Sequence, residues 1–250
     1  MKKLTAAIKT ETLLFVRDFF GFFFTFAFPV LMLLLFGSIY GNDPSPYFNG
    51  QGSMDVSVPG YSAMIIGVTG LMAFPLTISG YKESGIYKRF DASPCGKGLI
   101  ITAQIIVNFI MTLAGFCLLF VVGKLFFHIR VGGSATAIAF SLLLSMGAIF
   151  SLGFFFTAIA PTEKICSLFC YVSYFVMIFL SGSTMPRMML PEGIQRFSRI
   201  LPLTHAVDVL QGAFLGAPFS EYQTSVWFLL ALMICCVTAG GLFYKKGGAI

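Results

Sequence analysis

Residues 98–123 read GLIITAQIIVNFIMTLAGFCLLFVVG, a run without a single Asp, Glu, Lys or Arg. A helix rises about 1.5 Å per residue, so a run of this length crosses a hydrocarbon layer of about 30 Å, which needs roughly 20 residues. Working outward, Lys97 and Lys124 bound it, and five more charge-free runs occupy about 19–40, 59–81, 134–160, 165–182 and 222–244. Lipid offers no hydrogen bonds to an open backbone, so each run is expected as a spanning α-helix. They are continuously apolar, whereas the strands of a membrane barrel alternate over about ten residues.

The rest of the composition agrees. Hydrophobic residues make up 57% of the 250 positions and charged residues 10%, with 30 Phe and a mean hydropathy of +0.90. Soluble domains carry roughly 25% charge, so disorder, a disulfide scaffold and a coiled coil are all excluded. The expected fold is all-α: one polytopic domain over 1–250, with six transmembrane helices, an interfacial amphipathic helix over 1–18, and short external re-entrant-like helices within 183–221.

The cations set the orientation. With the N-terminus cytoplasmic, eleven Lys and Arg fall inside (Lys2, Lys3, Lys9, Arg17, Lys82, Lys88, Arg89, Lys97, Lys164, Lys245, Lys246) and five outside (Lys124, Arg130, Arg187, Arg196, Arg199). Asp and Glu divide five and five, so the bias lies in the cations. Both termini are expected in the cytoplasm of a multi-pass protein of the cell (plasma) membrane. The net charge of +6 reads as a topology signal, and no basic patch interleaved with aromatics points to nucleic acid. A cleavable signal peptide is not expected, because the first apolar run exceeds the 7–15 residues or so of such a core. Cys117, Cys166, Cys170, Cys235 and Cys236 fall in spans and Cys95 in an inner loop, which favours free thiols over a disulfide framework.

About 110 residues remain outside the spans, too few for a soluble catalytic domain. The phosphate-cradling pattern G-x-x-x-x-G-K-[ST] is absent, and Gly96-Lys97-Gly98 lacks its hydroxyl residue and upstream glycine. No catalytic and no metal-ligating set is expected. In 2–18, Leu4, Ala7, Ile8, Leu14 and Phe15 share one arc, with Lys2, Lys3, Lys9 and Arg17 mainly opposite, as in a helix lying in the headgroup plane. Glu11 and Asp18 interrupt the apolar arc. Either both are solvated on a frayed helix, or Glu11 pairs with a basic residue of the next inner loop.

That loop, 82–97, carries Lys82, Glu83, Lys88, Arg89 and Asp91 among Ile86, Tyr87 and Phe90, and Pro94 with Gly96 ends any helix before the third span. It is longer than a turn requires, and its aromatics favour docking over simple anchoring. The second inner loop, Pro161 to Lys164, is short. Outside, 41–58 reads as irregular. In 183–221, Met185-Pro186, Leu190-Pro191 and Leu201-Pro202 punctuate two short amphipathic runs, expected to cap the external mouth.

The amphipathic N-terminal helix, the six spans, Lys82-Glu83-x-Gly85…Lys88-Arg89…Ser93-Pro94 and the proline-marked 183–215 together resemble the ABC-2 type permeases, the membrane subunits of ATP-binding-cassette exporters. The resemblance covers essentially the whole chain through degenerate motifs. It implies a coupling helix in the 82–97 loop, with Lys82, Glu83, Tyr87, Lys88, Arg89, Asp91 and Pro94 in the coupling region and Glu163 at a smaller second contact. Glu11 and Arg17 would mark the N-terminal helix contact. It also implies a separate ATPase subunit carrying ATP and Mg, no cofactor on this chain, and a homodimer or heterodimer of permeases among membrane lipids.

The rival class, an ion-coupled carrier or channel, normally needs ionisable groups within its spans, and the six runs contain no Asp, Glu, Lys or Arg. His128 and His205 stand alone and read as interfacial residues. In the third span Gln104, Asn108 and Thr112 recur at i, i+4 and i+8, a stripe that lines a pathway or bonds helix to helix; Ser141 and Ser145 in the fourth pose the same choice. Pro29 and Pro75 are candidate gate hinges. The seven Phe between Phe19 and Phe28 suit lipid contact. The substrate expected is amphipathic or lipidic, whether a drug, an antimicrobial peptide or a lipid-like molecule, with polysaccharide export the alternative within the family.

Overall fold

The computed structural model describes residues 2–45, 50–91, 96–184 and 191–247, and within them the chain is helical throughout, its only extended pairing one bridge between Pro44 and Gly52. An N-terminal helix α1 (Lys2–Arg17) leads into α2 (Phe19–Tyr40) and α3 (Ser53–Glu83). A short α4 (Ile86–Asp91) precedes α5 (Gly96–Phe127), α6 (Ala135–Ile159) and α7 (Glu163–Leu180). Then come α8 (Glu192–Ser198), α9 (Pro202–Leu215) and α10 (Phe219–Gly247). Helices α2, α3, α5, α6, α7 and α10 are long and apolar enough to cross a membrane. The all-α, six-span architecture read from the charge-free runs is therefore the one observed. Six crossings return the chain to the face it left, here called the terminal face.

Burial ranks the spans. The apolar windows of α3 and α6 are 72% and 67% buried, those of the other four 22–28%, so α3 and α6 form the centre and the others present broad apolar surfaces outward. Phe19 and Phe20 at the start of α2 are 70% and 68% exposed, as lipid contact requires. The thiols of Cys117, Cys166, Cys170, Cys235 and Cys236 are free, and Cys95 lies outside the described residues.

Helices α2 and α3 share a device that periodicity does not reveal. A proline within a helix removes one amide donor and its ring crowds the carbonyl four residues back, a cost of about 3 kcal/mol. In Ala27-Phe28-Pro29 and Ala73-Phe74-Pro75 that cost is met the same way: the turn before each proline widens into a π-turn, at Phe23–Ala27 and Thr69–Ala73. The Phe28 amide then reaches back to the Phe23 carbonyl and the Phe74 amide to that of Thr69. Both helices continue past their prolines. Neighbouring helices close on the widened turns through glycine. A Cβ on Gly153 of α6 would sit 2.0 Å from the Gly70 carbonyl oxygen, and one on Gly115 of α5 3.0 Å from that of Thr25.

Two stretches differ from the sequence expectation. Helix α3 starts at Ser53 rather than near 59, because Asp55, 1% exposed, caps it. The carboxylate accepts from the Gly52 amide (3.2 Å), Asn42 Nδ2 (3.0 Å) and the Arg130 amide (2.8 Å). Asn42 Oδ1 in turn accepts from the Met54 and Asp55 amides. An acid in a helix that spans is tolerable only when so fully engaged. The second difference is α9, which is set into the bundle against α3, α6 and α10 instead of capping it. Leu203, Ala206, Val207, Val209, Leu210, Ala213 and Phe214 are all buried, and a helix apolar on more than one face has to be covered on more than one face. The preceding α8 stays at the surface, where Arg196 pairs with Glu192 at 4.0 Å. Met185-Pro186 and Leu190 lie outside the described residues.

Gly153→Val places branched carbon against a backbone carbonyl that cannot retreat. Overpacking of this kind costs about 1–3 kcal/mol, so the variant is expected to melt lower in detergent and to lose its monodisperse fraction on size exclusion. A wild-type melting profile would show that α6 does not close on the π-turn.

Candidate functional site

At the terminal face, five chain segments converge: α1, the end of α3, α4, and the starts of α5 and α7. Helix α3 ends on Ser84, and Gly85 at φ +69° turns the chain into α4. Only glycine adopts that backbone without strain. Helix α4 has six residues, Ile86–Asp91, and presents an inner and an outer side. Tyr87 is 6% exposed, while Lys88 and Arg89 are exposed and Ile86 and Phe90 half-buried.

The inward groups form a chain of contacts. The Tyr87 hydroxyl donates to Gln104 Oε1 on α5 (3.2 Å), and its ring meets Tyr81 of α3 edge to face at 6.0 Å. The Tyr81 hydroxyl donates to Glu11 Oε1 on α1 (3.2 Å). Thus Glu11 is neither solvated nor paired with a loop cation. It is buried in the contact between α1 and α5, with Phe15 one turn further on. Leu14, on the same arc by sequence, is 45% exposed beside Leu13 and Val16, so α1 has a second apolar side turned outward. Asp18 leaves the buried face and accepts from the Gly21 amide at 3.2 Å, capping the start of α2.

A second link ties the two inner loops. Glu83 Oε2 accepts from the Glu163 amide at 2.6 Å, satisfying one of the unpaired donors at the start of α7 next to the Thr162 cap. The structure thereby brings Glu83 and Glu163 together. Lys88 and Arg89 have no carboxylate partner among the described residues. Arg17 is exposed in the last turn of α1, where a cation complements the helix dipole. Pro94 lies outside the described residues, as does the side chain of Asp91, and Lys82 is half-buried at the end of α3.

The other sequence candidates are elsewhere. Gln104, Asn108 and Thr112 are all at most 5% exposed and face protein. Thr112 Oγ1 bonds Thr69 Oγ1 in the π-turn of α3 at 2.8 Å, and Asn108 Nδ2 donates back to the Gln104 carbonyl at 2.9 Å. Ser141 bonds the Ile138 carbonyl, and Ser145 Oγ is buried without a partner among the described residues. Pro29 and Pro75 follow the π-turns. His205 lies towards the other end of the bundle, held between Ser225 Oγ (2.9 Å) and the Arg199 carbonyl (2.8 Å) and stacked on Phe228. Reading by sequence missed Tyr81 as a partner for Glu11 and missed the Asn42–Asp55 cap. The available signal was a tyrosine ending a span beside a buried acid's helix, and an Asn-Asp pair flanking a glycine.

Between α1 and α4 an open cavity of about 540 Å³ remains. Helix α1 lines it with Lys3, Ala6, Ala7, Thr10 and Glu11; Tyr81, Ile86, Arg89, Phe90, Leu99 and Ile100 complete the wall. Burial pushes the Glu11 carboxyl above the usual carboxylate range, and the Tyr81 hydroxyl and Gln104 amide, which favour the ionised form, only partly offset it. The Gln104 contact is the weaker of these, because Nε2 makes no hydrogen bond of good geometry.

These features define a class: a six-span helical membrane protein whose one face carries an interlocked N-terminal helix and a short loop helix with two outward cations. The model of the ABC-2 type transporter family matches residues 2–215, and the chain belongs to that family. It is similar to the probable multidrug ABC transporter permease YbhR of Escherichia coli K12, 21% identical over 190 residues, or 76% of this chain and 52% of that protein. It is also similar to Nodulation protein J of Rhizobium meliloti (strain 1021), 38% identical over 68 residues, and of Sinorhizobium fredii, 34% identical over 68 residues. Each of these two matches covers 27% of this chain and 26% of the relative. The chain thus spans between a quarter and about half the length of the curated relatives it matches.

An acid whose folded-state pKa is raised binds its proton more tightly in the native state, so its contribution is greatest below the unfolded pKa and is lost as pH rises through the folded value. Amide exchange in α1, corrected for its intrinsic pH dependence, should therefore accelerate as pH rises from below about 4.5 through the mildly acidic range. Glu11→Gln should flatten that dependence while leaving α1 docked. An unchanged profile in the variant would remove Glu11 as the titrating group.

Proposed function

We propose that the chain is the permease subunit of an ABC exporter, with both termini cytoplasmic, working as a homodimer or heterodimer with a separate ATPase subunit that binds ATP and Mg. The observation that carries this reading is α4: its inner side is locked to α5 and, through Tyr81, to α1, while Lys88 and, at the cavity mouth, Arg89 are exposed with no carboxylate partner among the described residues. Family membership supplies the partner's class. A short helix held this way cannot yield when pushed, so displacement of α4 moves the base of α5. The Glu83–Glu163 link carries the same displacement to α7.

In this mechanism ATP binding closes the two ATPase subunits, the terminal face follows, and the dimer alternates between inward- and outward-open states. The outward cations suit an acidic rim on the partner. The cargo is amphipathic or lipidic. Two features support that choice: the six apolar runs carry no Asp, Glu, Lys or Arg, and YbhR, matched over 190 residues, is named as a probable multidrug permease. Efflux of drug-like amphiphiles is the activity proposed.

The isolated chain is expected to hydrolyse no ATP, and co-expression with an ATPase encoded nearby should yield a stable complex. Lys88→Glu with Arg89→Glu should leave the chain folded but cut ATP-driven transport at least tenfold. Transport by the isolated chain in vesicles, driven by an ion gradient alone, would overturn the assignment in favour of a secondary carrier.

A further inference from the structure

The cavity between α1 and α4 is left open because the side chains that could fill it are small. Ala6 and Ala7 face it from α1, and Phe90 reaches it from α4 without closing it. Its volume of about 540 Å³ lies within the roughly 300–1,000 Å³ of small-molecule sites. The wall is mainly carbon, yet it carries three charges. Lys3 and Arg89 have no carboxylate partner among the described residues, and the Glu11 carboxylate, buried, has only the neutral Tyr81 hydroxyl as a well-aligned donor. On the same helix Leu13, Leu14 and Val16 are half exposed, and Phe19 and Phe20 follow. Those surfaces suit acyl chains, so the cavity borders the lipid layer on the terminal face.

A ligand matching this wall has a phosphate for two cations, a hydrogen-bonding ammonium for one carboxylate, and a hydrocarbon tail. We infer that the cavity binds one phospholipid with a primary-amine headgroup, its phosphate at Lys3 and Arg89, its ammonium at Glu11 and an acyl chain along Ala6, Ala7 and Phe90. An ammonium gives the buried carboxylate the cation that this chain does not supply. A quaternary amine cannot donate to Glu11, and a headgroup without an amine leaves the carboxylate facing phosphate. Each methylene buried is worth roughly fourfold in binding, so retention through purification requires the tail as well as the head. The lipid completes the contact between α1 and α4. The inference rests on membrane embedding and the cavity, not on the proposed ATPase partner.

The test uses the full chain alone, reconstituted in vesicles holding equal amounts of phosphatidylethanolamine, phosphatidylcholine and phosphatidylglycerol, then re-extracted and weighed by native mass spectrometry. Wild type is expected to retain one phosphatidylethanolamine at least tenfold over either competitor. Glu11→Gln should erase the preference over phosphatidylcholine, Lys3→Glu with Arg89→Glu should cut retention about tenfold for all three, and Ala7→Phe should abolish it. Ala6→Leu serves as the filling variant if Ala7→Phe does not fold, judged by melting in detergent. Equal retention of the three lipids, or undiminished retention in the folded filling variant, overturns the inference. So does a filling variant that loses binding to a co-expressed ATPase but keeps its lipid, since the cavity would then belong to that protein.

Discussion

A carbonyl freed from its helix inside a bilayer has no water to turn to, and this chain frees carbonyls in two of its spans. Everything central in the bundle is arranged around that constraint. The π-turns before Pro29 and Pro75 re-pair the backbone five residues back instead of four, which keeps α2 and α3 continuous across the membrane. The widened turns are also where neighbours come closest. Gly153 brings α6 onto the α3 turn, Gly115 brings α5 onto the α2 turn, and Thr112 bonds Thr69 within one of them. Backbone satisfaction and helix packing are thus one problem with one solution.

The same economy governs charge. The acids near the span ends are used as acceptors for amides that would otherwise be orphaned: Asp18 for α2, Asp55 for α3, Glu83 for α7. Each caps a helix at the rim of the hydrocarbon, where a charge-assisted bond to an amide is strong and a solvated alternative is remote. The cations are treated differently. Among the described residues Lys88 and Arg89 have no carboxylate partner and stay exposed on the terminal face.

The six spans were legible because lipid imposes a compositional requirement that holds residue by residue over some twenty positions. The helix in 82–97 was legible for a similar reason, since Gly85 and Pro94 punctuate it. What the amino-acid order did not reveal depends on contacts between distant segments. Asp55 marks the start of α3 only because Asn42 and the Arg130 amide, 13 and 75 residues away, arrive beside it. Glu11 reads as an error in an amphipathic wheel until Tyr81, 70 residues on, is seen to meet it. Tyr87 reads as part of an outward docking edge because a six-residue helix has too few turns to define its own inner side; Gln104 decides that. Helix α9 was placed at the mouth because its length is too short to span, yet length says nothing about how many of its sides are covered.

Six buried polar side-chain atoms lack hydrogen-bond partners among the described residues, and three of them share one interface. Among the described residues, Thr25 Oγ1, Gln104 Nε2 and Asn108 Oδ1 are buried without hydrogen-bond partners, and all three belong to α5 or to the α2 turn it touches. Each such group costs about 1–3 kcal/mol relative to a paired one. An interface that already carries this cost gives up less when it shifts than one whose polar groups are all engaged, and a displaced register offers those groups new partners. Helix α5 is also the one that receives Tyr87 from α4 and Glu11's helix along its base. The contact that holds these three groups therefore begins where Tyr87 and the helix of Glu11 brace the terminal face.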